Sequence, residues 1–198
     1  VADYTGAPYC VAVNSCTNAL FLALRYSYFY RPHFTDTIEI PKHTYISVPM
    51  QIYHAGYEHI KFRDEKWSGV YQLKPLSIWD AARRFHHNMY WSNHISEPSN
   101  QNYVCVSFHW SKILGIQQGG AILHNDIEFD HWARRARFDG RTEGVRPKDD
   151  DVKALGWHMY MSPEIAAEGL VRLHHLPWEN KDLPNDDYPD LSKLEVFK

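Results

Sequence analysis

Short apolar runs alternate with longer helical runs along this chain, and this alternation restricts it to a layered α/β fold. The run YCVAV at 9–13 has the length and composition of a buried strand. Polar residues at 14–18 then offer helix caps before ALFLALRYSYFY at 19–30, which we interpret as a helix. We therefore expect an α/β protein in which helices pack in layers against a sheet.

The same reasoning predicts the later elements and one domain boundary. Strands are expected at 38–41, 57–62 and 119–123, and helices at 45–54 and 126–137. The clearest helix runs from Pro163 to His175, because Ser162 is a good cap and proline suits a first turn. Beyond it the sequence is acidic and broken by prolines, so we expect one domain at 1–176 and a surface tail or docking arm at 177–198.

Charge and cysteine content exclude several classes of protein. With 21 basic and 24 acidic residues the formal charge is -3, so neither nucleic acid nor an anionic membrane is an expected partner. No run of ~18 apolar residues predicts a membrane span. The three cysteines form no C-x-x-C pair, which argues against a disulfide framework and favours a reducing, cytoplasmic compartment.

Three loops carry residues whose chemistry is complementary. Cys16 and Thr17 open a helix, where free amides and the helix dipole favour a phosphate group. Asp80 lies where a strand gives way to a helix, and a buried carboxylate there can keep a pyridine nitrogen protonated. Lys112 lies in a turn after a strand and can form an imine or move a proton. Taken singly, each also fits a plain structural role, as a solvated lysine or a helix cap.

Five stretches form an ordered pattern along the chain, at 9–24, 40–64, 77–85 and 107–123 and, as the fifth, at 139–141 with 155–176. In this order they resemble the DegT/DnrJ/StrS family of sugar aminotransferases, which are fold-type I pyridoxal phosphate enzymes. The segment SFHWSKILGIQQGGAIL at 107–123 resembles the lysine signature of that family. The runs at 9–24, 40–64 and 77–85 resemble its phosphate loop, its proline-led loop with helix and strand, and its "EDAAQ" segment. The residues at 139–141 and 155–176 resemble its "GY-N-Y-R-MSEIQAA" helix. The similarity spans roughly residues 4–176.

This resemblance implies a fold, a cofactor and a reaction. The fold would be a truncated large domain of a fold-type I aminotransferase, an α/β protein of three layers, α/β/α, around a mixed, mostly parallel sheet, without the small C-terminal domain. The cofactor would be pyridoxal 5'-phosphate, held as a Schiff base on Lys112 with Asp80 at the ring nitrogen. The reaction would move an amino group from L-glutamate to a nucleotide-linked keto sugar, in a homodimer with shared active sites. The implied cofactor-binding residues are Ser15, Cys16, Thr17, Tyr45, Asp80, Arg83, Ser107, His109, Lys112 and, from a partner subunit, His158.

The sequence also departs from the family pattern. Cys16 replaces the usual glycine, Arg83 replaces Gln or His, and His158 replaces an Asn that reaches the phosphate site of the neighbouring subunit. Only 15 residues separate Asp64 from Asp80, where the family has a further strand and helix. We expect a partner subunit to cover the sheet face that these deletions expose.

Other functions stay open at this point. A degenerate relative would bind or assemble without catalysis, and a pyridoxal phosphate-dependent sugar dehydratase would use the same fold, although that branch tends to lack the lysine. A metal site at His86, His87 and His94 matches no known ligand spacing. A serine hydrolase would need a nucleophile elbow that the sequence does not contain.

Overall fold

The computed structural model describes residues 1–30, 36–91, 101–184 and 187–198. His94 of the histidine group therefore lies outside the described residues. The helices and strands of the described chain are, in order, α1 (Ala2–Thr5), β1 (Tyr9–Val13), α2 (Cys16–Tyr30), β2 (Thr37–Pro41), α3 (Ser47–Ala55), β3 (His59–Arg63), β4 (Tyr71–Gln72), β5 (Ile78–Asp80), β6 (Tyr103–Ser107), β7 (Gly120–His124), α4 (Ile127–Ala136) and α5 (Pro163–His175). Helices and strands alternate as far as β3, and the strands β4 to β7 then precede the last two helices. This confirms the predicted α/β class.

Two sheets form the centre of the molecule. Five strands pair in the order β1-β7-β6-β5-β4, and β2 pairs with β3 in a separate parallel sheet. Backbone hydrogen bonds of 2.7 and 3.0 Å between Glu39 and Lys74 join the two sheets just beyond β4. Strands β1, β5 and β6 run in the same direction, so the loops that follow them leave the five-stranded sheet at the same end.

The sheet is mixed, as expected, but the prediction that it is mostly parallel is wrong for the five-stranded sheet. Among its described pairings only β5 with β6 is parallel, whereas β1–β7, β7–β6 and β4–β5 are antiparallel. For β4 and β5 the antiparallel pairing follows from the short connection between them. A parallel crossover needs a dozen or more residues, and only residues 73–77 link β4 to β5. The chain therefore turns back as a hairpin at that point.

One face of the sheet carries three helices. The middle of α2 is apolar on every side, and Ala19 to Leu24 are all buried between the sheet, α3 and α4. Val11, Ile122 and Phe129 belong to the same core cluster. Ser15 caps α2, since its Oγ accepts a hydrogen bond of 3.1 Å from the Asn18 amide. This packing fixes the start of α2 against the end of β1.

The opposite face is covered by less regular segments. Phe85, Met89 and Tyr90, from the stretch after β5, are fully buried against this side of the sheet. Helix α5 contributes only partly buried side chains, and its Leu170 is 67% exposed. The chain thus supplies much of the third layer itself, and coverage by a partner subunit stays a prediction.

Residues 177–198 are called the arm below, and the described part of the arm, 177–184 and 187–198, docks on the body of the protein. Asp182 binds Arg84 through two hydrogen bonds of 2.9 and 2.6 Å, and Trp178 stacks on His87 at 4.4 Å. Leu191 is fully buried, and its amide donates to the Lys42 carbonyl at 2.9 Å. Among the described residues no helix combines the length and the apolar character needed to cross a membrane.

Candidate active site

A cavity of about 440 Å³ opens at the edge where β1, β5 and β6 end. Val13 of β1 and Ser107 of β6 both pair with Gly120 of β7, so the loops that follow these two strands start side by side. Ligands of layered α/β proteins commonly bind at such strand ends. The residues that the sequence analysis singled out and that line the cavity are Ser15, Cys16, Thr17, Tyr45, Asp80, Arg83, Ser107, His109 and Lys112.

The turn at 15–17 presents the start of α2 to the cavity. Thr17 Oγ1 lies 2.9 Å from Ser47 Oγ, which ties the turn to α3. Burial, then the negative charge of Asp80, raises the pKa of the Cys16 thiol well above its usual value. Cys16 therefore offers a ligand its backbone N–H and no thiolate, and the free amides of the helix start make the turn suitable for an anion.

Gly120 sets the position of this turn, and sequence reasoning recognised it only as part of a motif. A Cβ at position 120 would lie 2.5 Å from the Cys16 nitrogen and 2.7 Å from the Ser15 carbonyl carbon. Both atoms are backbone, so no side chain can move aside to make room. The turn consequently rests directly on β7, and glycine is the residue that permits this approach.

Asp80 is a buried carboxylate with two neutral donors. Tyr71 Oη donates to Oδ2 at 2.7 Å, and the Ala82 amide donates to Oδ1 at 2.9 Å. The single proton of the Tyr71 hydroxyl is used on Asp80, so Thr44, at 2.6 Å, donates to Tyr71. Burial raises the pKa of Asp80, and the Ala82 amide, the Tyr71 hydroxyl and the charge of Lys112 oppose that rise. A buried carboxylate with neutral donors suits a cationic N–H from a ligand.

Lys112 lies in the loop between β6 and β7, and its amide donates to the His109 carbonyl at 2.8 Å. Its side chain is half-buried. Burial, followed by the positive charge of Arg83, lowers the pKa of the Lys112 amine, while Asp80 acts in the opposite direction. A lowered pKa increases the fraction of neutral amine, which is the form that attacks a carbonyl carbon.

Ser107 is the last residue of β6, and His109 lies two positions further along the chain. The Ser107 Oγ accepts a hydrogen bond from the His109 amide at 3.4 Å, and His109 Nδ1 lies 2.9 Å from Ser111 Oγ. Both side chains line the cavity, near the turn at 15–17, because Ser107 and that turn contact Gly120. They can add donors to an anion held there.

His158 lies away from the cavity lining. Its side chain is 71% exposed, Nδ1 lies 3.0 Å from Asp139 Oδ2, and the ring packs on Tyr160. The sequence-based expectation assigned His158 to the site of a partner subunit. That assignment stays a prediction.

Several lining residues were missed by sequence reasoning. Trp67 comes from the short connection between β3 and β4, and Asp187 and Tyr188 come from the arm. The Tyr188 ring lies 6.3 Å from the Trp67 ring, nearly parallel at 15°, and 6.4 Å from the Tyr45 ring. No local pattern brings positions 67 and 188 together. The one signal available was the unusual Arg83, which the arm contacts.

Comparison with known proteins gives a family and a fold. A sequence model of the DegT/DnrJ/EryC1/StrS aminotransferase family matches residues 1–64 and 78–183. AtS13 from Actinomadura melliaura has a TM-score of 0.68 and 22% identity, over 88% of this chain and 57% of that chain. Helicobacter pylori PseC, an aminotransferase involved in the biosynthesis of pseudoaminic acid, has a TM-score of 0.67 and 18% identity, over 89% and 56%.

A dehydratase has a similar structure. A mutant of GDP-4-keto-6-deoxymannose-3-dehydratase (ColD) with bound GDP-perosamine has a TM-score of 0.65 and 17% identity, over 89% of this chain and 58% of that chain. This chain spans little more than half the length of these three structures. No curated protein matches it. At these identities the structural likeness establishes the fold alone.

Proposed function

This chain belongs to the DegT/DnrJ/EryC1/StrS aminotransferase family, and from that premise we propose that it binds pyridoxal 5'-phosphate and transfers an amino group from L-glutamate to a nucleotide-linked keto sugar. The observation that carries the proposal is the shared cavity. The anion-binding turn at 15–17, the buried Asp80 and the half-buried Lys112 come from three separate loops and line one space.

The residues present fit this cofactor. The cavity volume falls within the range of small-molecule sites, about 300–1,000 Å³. The turn and the side chains of Thr17, Ser107 and His109 would hold the phosphate. The Tyr45 ring is 55% exposed at the cavity and can stack on a planar ring. When bound, pyridoxal 5'-phosphate supplies an aldehyde that captures amines and a ring that withdraws electrons from the substrate.

Asp80 and Lys112 are the two residues of this chain that would take part in the reaction. A protonated ring nitrogen beside Asp80 would give the buried carboxylate the cationic partner that Tyr71 and Ala82 do not provide. The Lys112 amine would bind the cofactor covalently, and once released it would accept and return the proton on the substrate carbon. Arg83 would lie beside the cofactor, within the electrostatic reach of Lys112.

We also propose a homodimer in which His158 donates to the phosphate site of the partner subunit. Its side chain is exposed and paired with Asp139, so it is accessible to a second copy. Exposed apolar residues on α5, such as Leu170 and Val171, support an interface there. The cytoplasm is the proposed compartment, in keeping with three cysteines that are all free.

The proposal is tested by locating the cofactor. Purified protein incubated with pyridoxal 5'-phosphate should develop a visible absorbance band, and borohydride should fix the cofactor to a peptide that contains Lys112. Lys112→Ala should lose both signals. Lys153→Ala is the matched control, because Lys153 is exposed and pairs with Asp151 outside the cavity. A wild-type protein that takes up no cofactor would favour the degenerate relative and refute the proposal.

A dehydratase is a second candidate, because ColD shares the fold. The two reactions differ in their products. With labelled L-glutamate nitrogen and GDP-4-keto-6-deoxymannose, an aminotransferase yields a sugar that carries the label and keeps its hydroxyl groups. A dehydratase yields an unlabelled sugar that has lost an oxygen. Because the chain retains Lys112, we expect the labelled product. Mass spectrometry of the sugar distinguishes the two products.

A further inference from the structure

The arm holds the guanidinium of Arg83 at the edge of the cavity. Nε donates to the Tyr188 hydroxyl at 2.9 Å, Nη2 donates to Asp187 Oδ1 at 2.6 Å, and Nη1 donates to the Pro184 carbonyl. The guanidinium carbon also lies 4.5 Å from the centre of the Tyr188 ring. The side chain of Arg83 is only 11% exposed, so it is a largely buried cation with a carboxylate already bound to it.

Arg83 and Asp187 both line the cavity that contains Lys112. Among the described residues of the lining, Arg83 and Lys112 are the only arginine or lysine side chains. If Lys112 serves the cofactor, Arg83 is the cation available to a substrate. An arginine fork matches the geometry of a carboxylate, which makes Arg83 suited to a carboxylic acid.

The contact with Asp187 is the weak part of this arrangement. The Asp187 side chain is 70% exposed, and exposed ion pairs contribute little because water and salt screen them. The arm has anchors that do not involve Asp187. His43 Nδ1 lies 3.0 Å from the Tyr188 carbonyl, Leu191 is buried, and Asp182 binds Arg84. Asp187 can therefore release Arg83 while the arm stays docked.

We propose that Arg83 is the binding site for the α-carboxylate of the amino-donor substrate, and that Asp187 occupies this site until the substrate displaces it. The inference rests on the proposed function, since it names the residue that receives the donor. Exchange of one carboxylate for another keeps Arg83 paired throughout, so no buried cation is left alone. A short amino acid held by Arg83 has its amine in the same cavity as the amine of Lys112.

Part of this site is built by residues outside the family match. The family match omits residues 65–77 and ends at 183, so Trp67, Asp187 and Tyr188 all lie outside it. Trp67 donates from Nε1 to the His43 carbonyl at 2.8 Å, and His43 in turn contacts Tyr188. The two unmatched segments thus meet where Trp67 packs on Tyr188, and Tyr188 in turn contacts Arg83, a residue that departs from the family pattern.

The test uses glutarate, a dicarboxylate without an amine, as an inert probe. Its affinity is measured by calorimetry for the wild type and for Asp187→Asn, with and without pyridoxal 5'-phosphate. Because Asp187 competes with the probe, Asp187→Asn should tighten glutarate binding about two- to fivefold, the size expected for an exposed ion pair. Glu195→Gln is the matched control, since Glu195 is an exposed acid of the arm that does not line the cavity.

Arg83→Gln should weaken glutarate binding by more than about tenfold, because it removes a charged hydrogen-bonding partner. The melting temperature of Arg83→Gln is measured as well. If it is well below that of the wild type, the proposal is judged on Asp187→Asn alone, because that variant leaves Arg83 in place. Unchanged or weaker binding in Asp187→Asn would overturn the proposal, as would full binding in a folded Arg83→Gln protein. Glutarate binding to cofactor-free protein tests this site even if the chain takes up no cofactor, so the two proposals fail separately.

Discussion

Replacement of Gly120 by alanine tests the geometry on which the phosphate site depends. The added Cβ would lie 2.5 Å from the Cys16 nitrogen, 2.7 Å from the Ser15 carbonyl carbon and 2.8 Å from the Val106 carbonyl oxygen. Ordinary contact begins at 3.4 Å, so the turn at 15–17 must retreat from β7 by about 1 Å. All three atoms belong to the backbone, and no rotamer change relieves the contact.

The expected cost has two parts. Overpacking of this kind lowers the free energy of unfolding by about 1–3 kcal/mol. Retreat of the turn also misplaces the amides that would hold a phosphate, and a lost charged hydrogen bond of about 1.5–3 kcal/mol weakens binding roughly ten- to a hundredfold. Pyridoxal, which has no phosphate, should lose little affinity. Gly120→Ala should therefore reduce the preference for the phosphorylated cofactor.

Urea unfolding measures the change in the free energy of unfolding. Absorbance titration with pyridoxal 5'-phosphate and with pyridoxal measures the preference for the phosphorylated cofactor. Gly169→Ala is the matched control. Gly169 lies inside α5, where an added Cβ would meet only Ile116 Cδ1 at 3.6 Å, so this change should stabilise the protein by about 0.5–1 kcal/mol. If Gly120→Ala leaves both stability and the preference for the phosphorylated cofactor intact, the turn at 15–17 is not the phosphate site.

Two further predictions use buried titratable groups. Asp80→Asn should weaken retention of pyridoxal 5'-phosphate about ten- to a hundredfold in a dialysis assay. The same variant without cofactor should be as stable as the wild type or more stable at pH 7 in urea unfolding. Burial raises the pKa of Asp80, so the contribution of Asp80 to stability is lost as the pH rises through this raised pKa. Asparagine does not ionise, so the variant does not lose stability in this way. A clear loss of stability in this variant would contradict the reasoning. Burial lowers the pKa of His124 to about 4, although the charges of Asp130 and Asp126 oppose this shift. The neutral His124 ring therefore contributes its full stabilisation at pH values above 6.5, the ordinary pKa of histidine. That contribution, on the order of 3 kcal/mol, disappears as the pH falls through about 4. His124→Gln should accordingly flatten the acid-induced fall in unfolding free energy, and an unchanged slope would show that another group controls it.

Local signals in the sequence were sufficient for the elements that frame the site. Strand β1 was predicted with its observed limits because YCVAV is a short apolar run bounded by polar residues. The limits of α5 were also predicted, since the Ser162 side chain accepts from the Ile165 amide and proline follows the cap. The helix expected at 45–54 begins two residues later, at Ser47, and ends as expected before Gly56 in its left-handed conformation.

The remaining features depend on contacts between distant parts of the chain. Strand β4 was not predicted, because its two residues are too few to carry a strand pattern or to separate a hairpin from a crossover. Arg83 and Tyr188 are 105 positions apart, and nothing in either segment indicates the other. The sequence placed Asp80 and Lys112 at strand ends, but it gave no sign that Tyr71 of β4 and Tyr188 of the arm lie near them.

The connection between β3 and β5, which contains the hairpin strand β4, gives the site the Tyr71 side chain. Because β4 runs antiparallel to β5, Tyr71 lies directly opposite Asp80, and paired residues of an antiparallel ladder point to the same face. The Tyr71 hydroxyl therefore reaches the Asp80 carboxylate, and Trp67, just before β4, packs 4.6 Å from the Tyr71 ring. Tyr188 of the arm packs on the other side of Trp67. Residues from both segments outside the family match thus form the wall beside Asp80, and this wall helps to keep Asp80 buried.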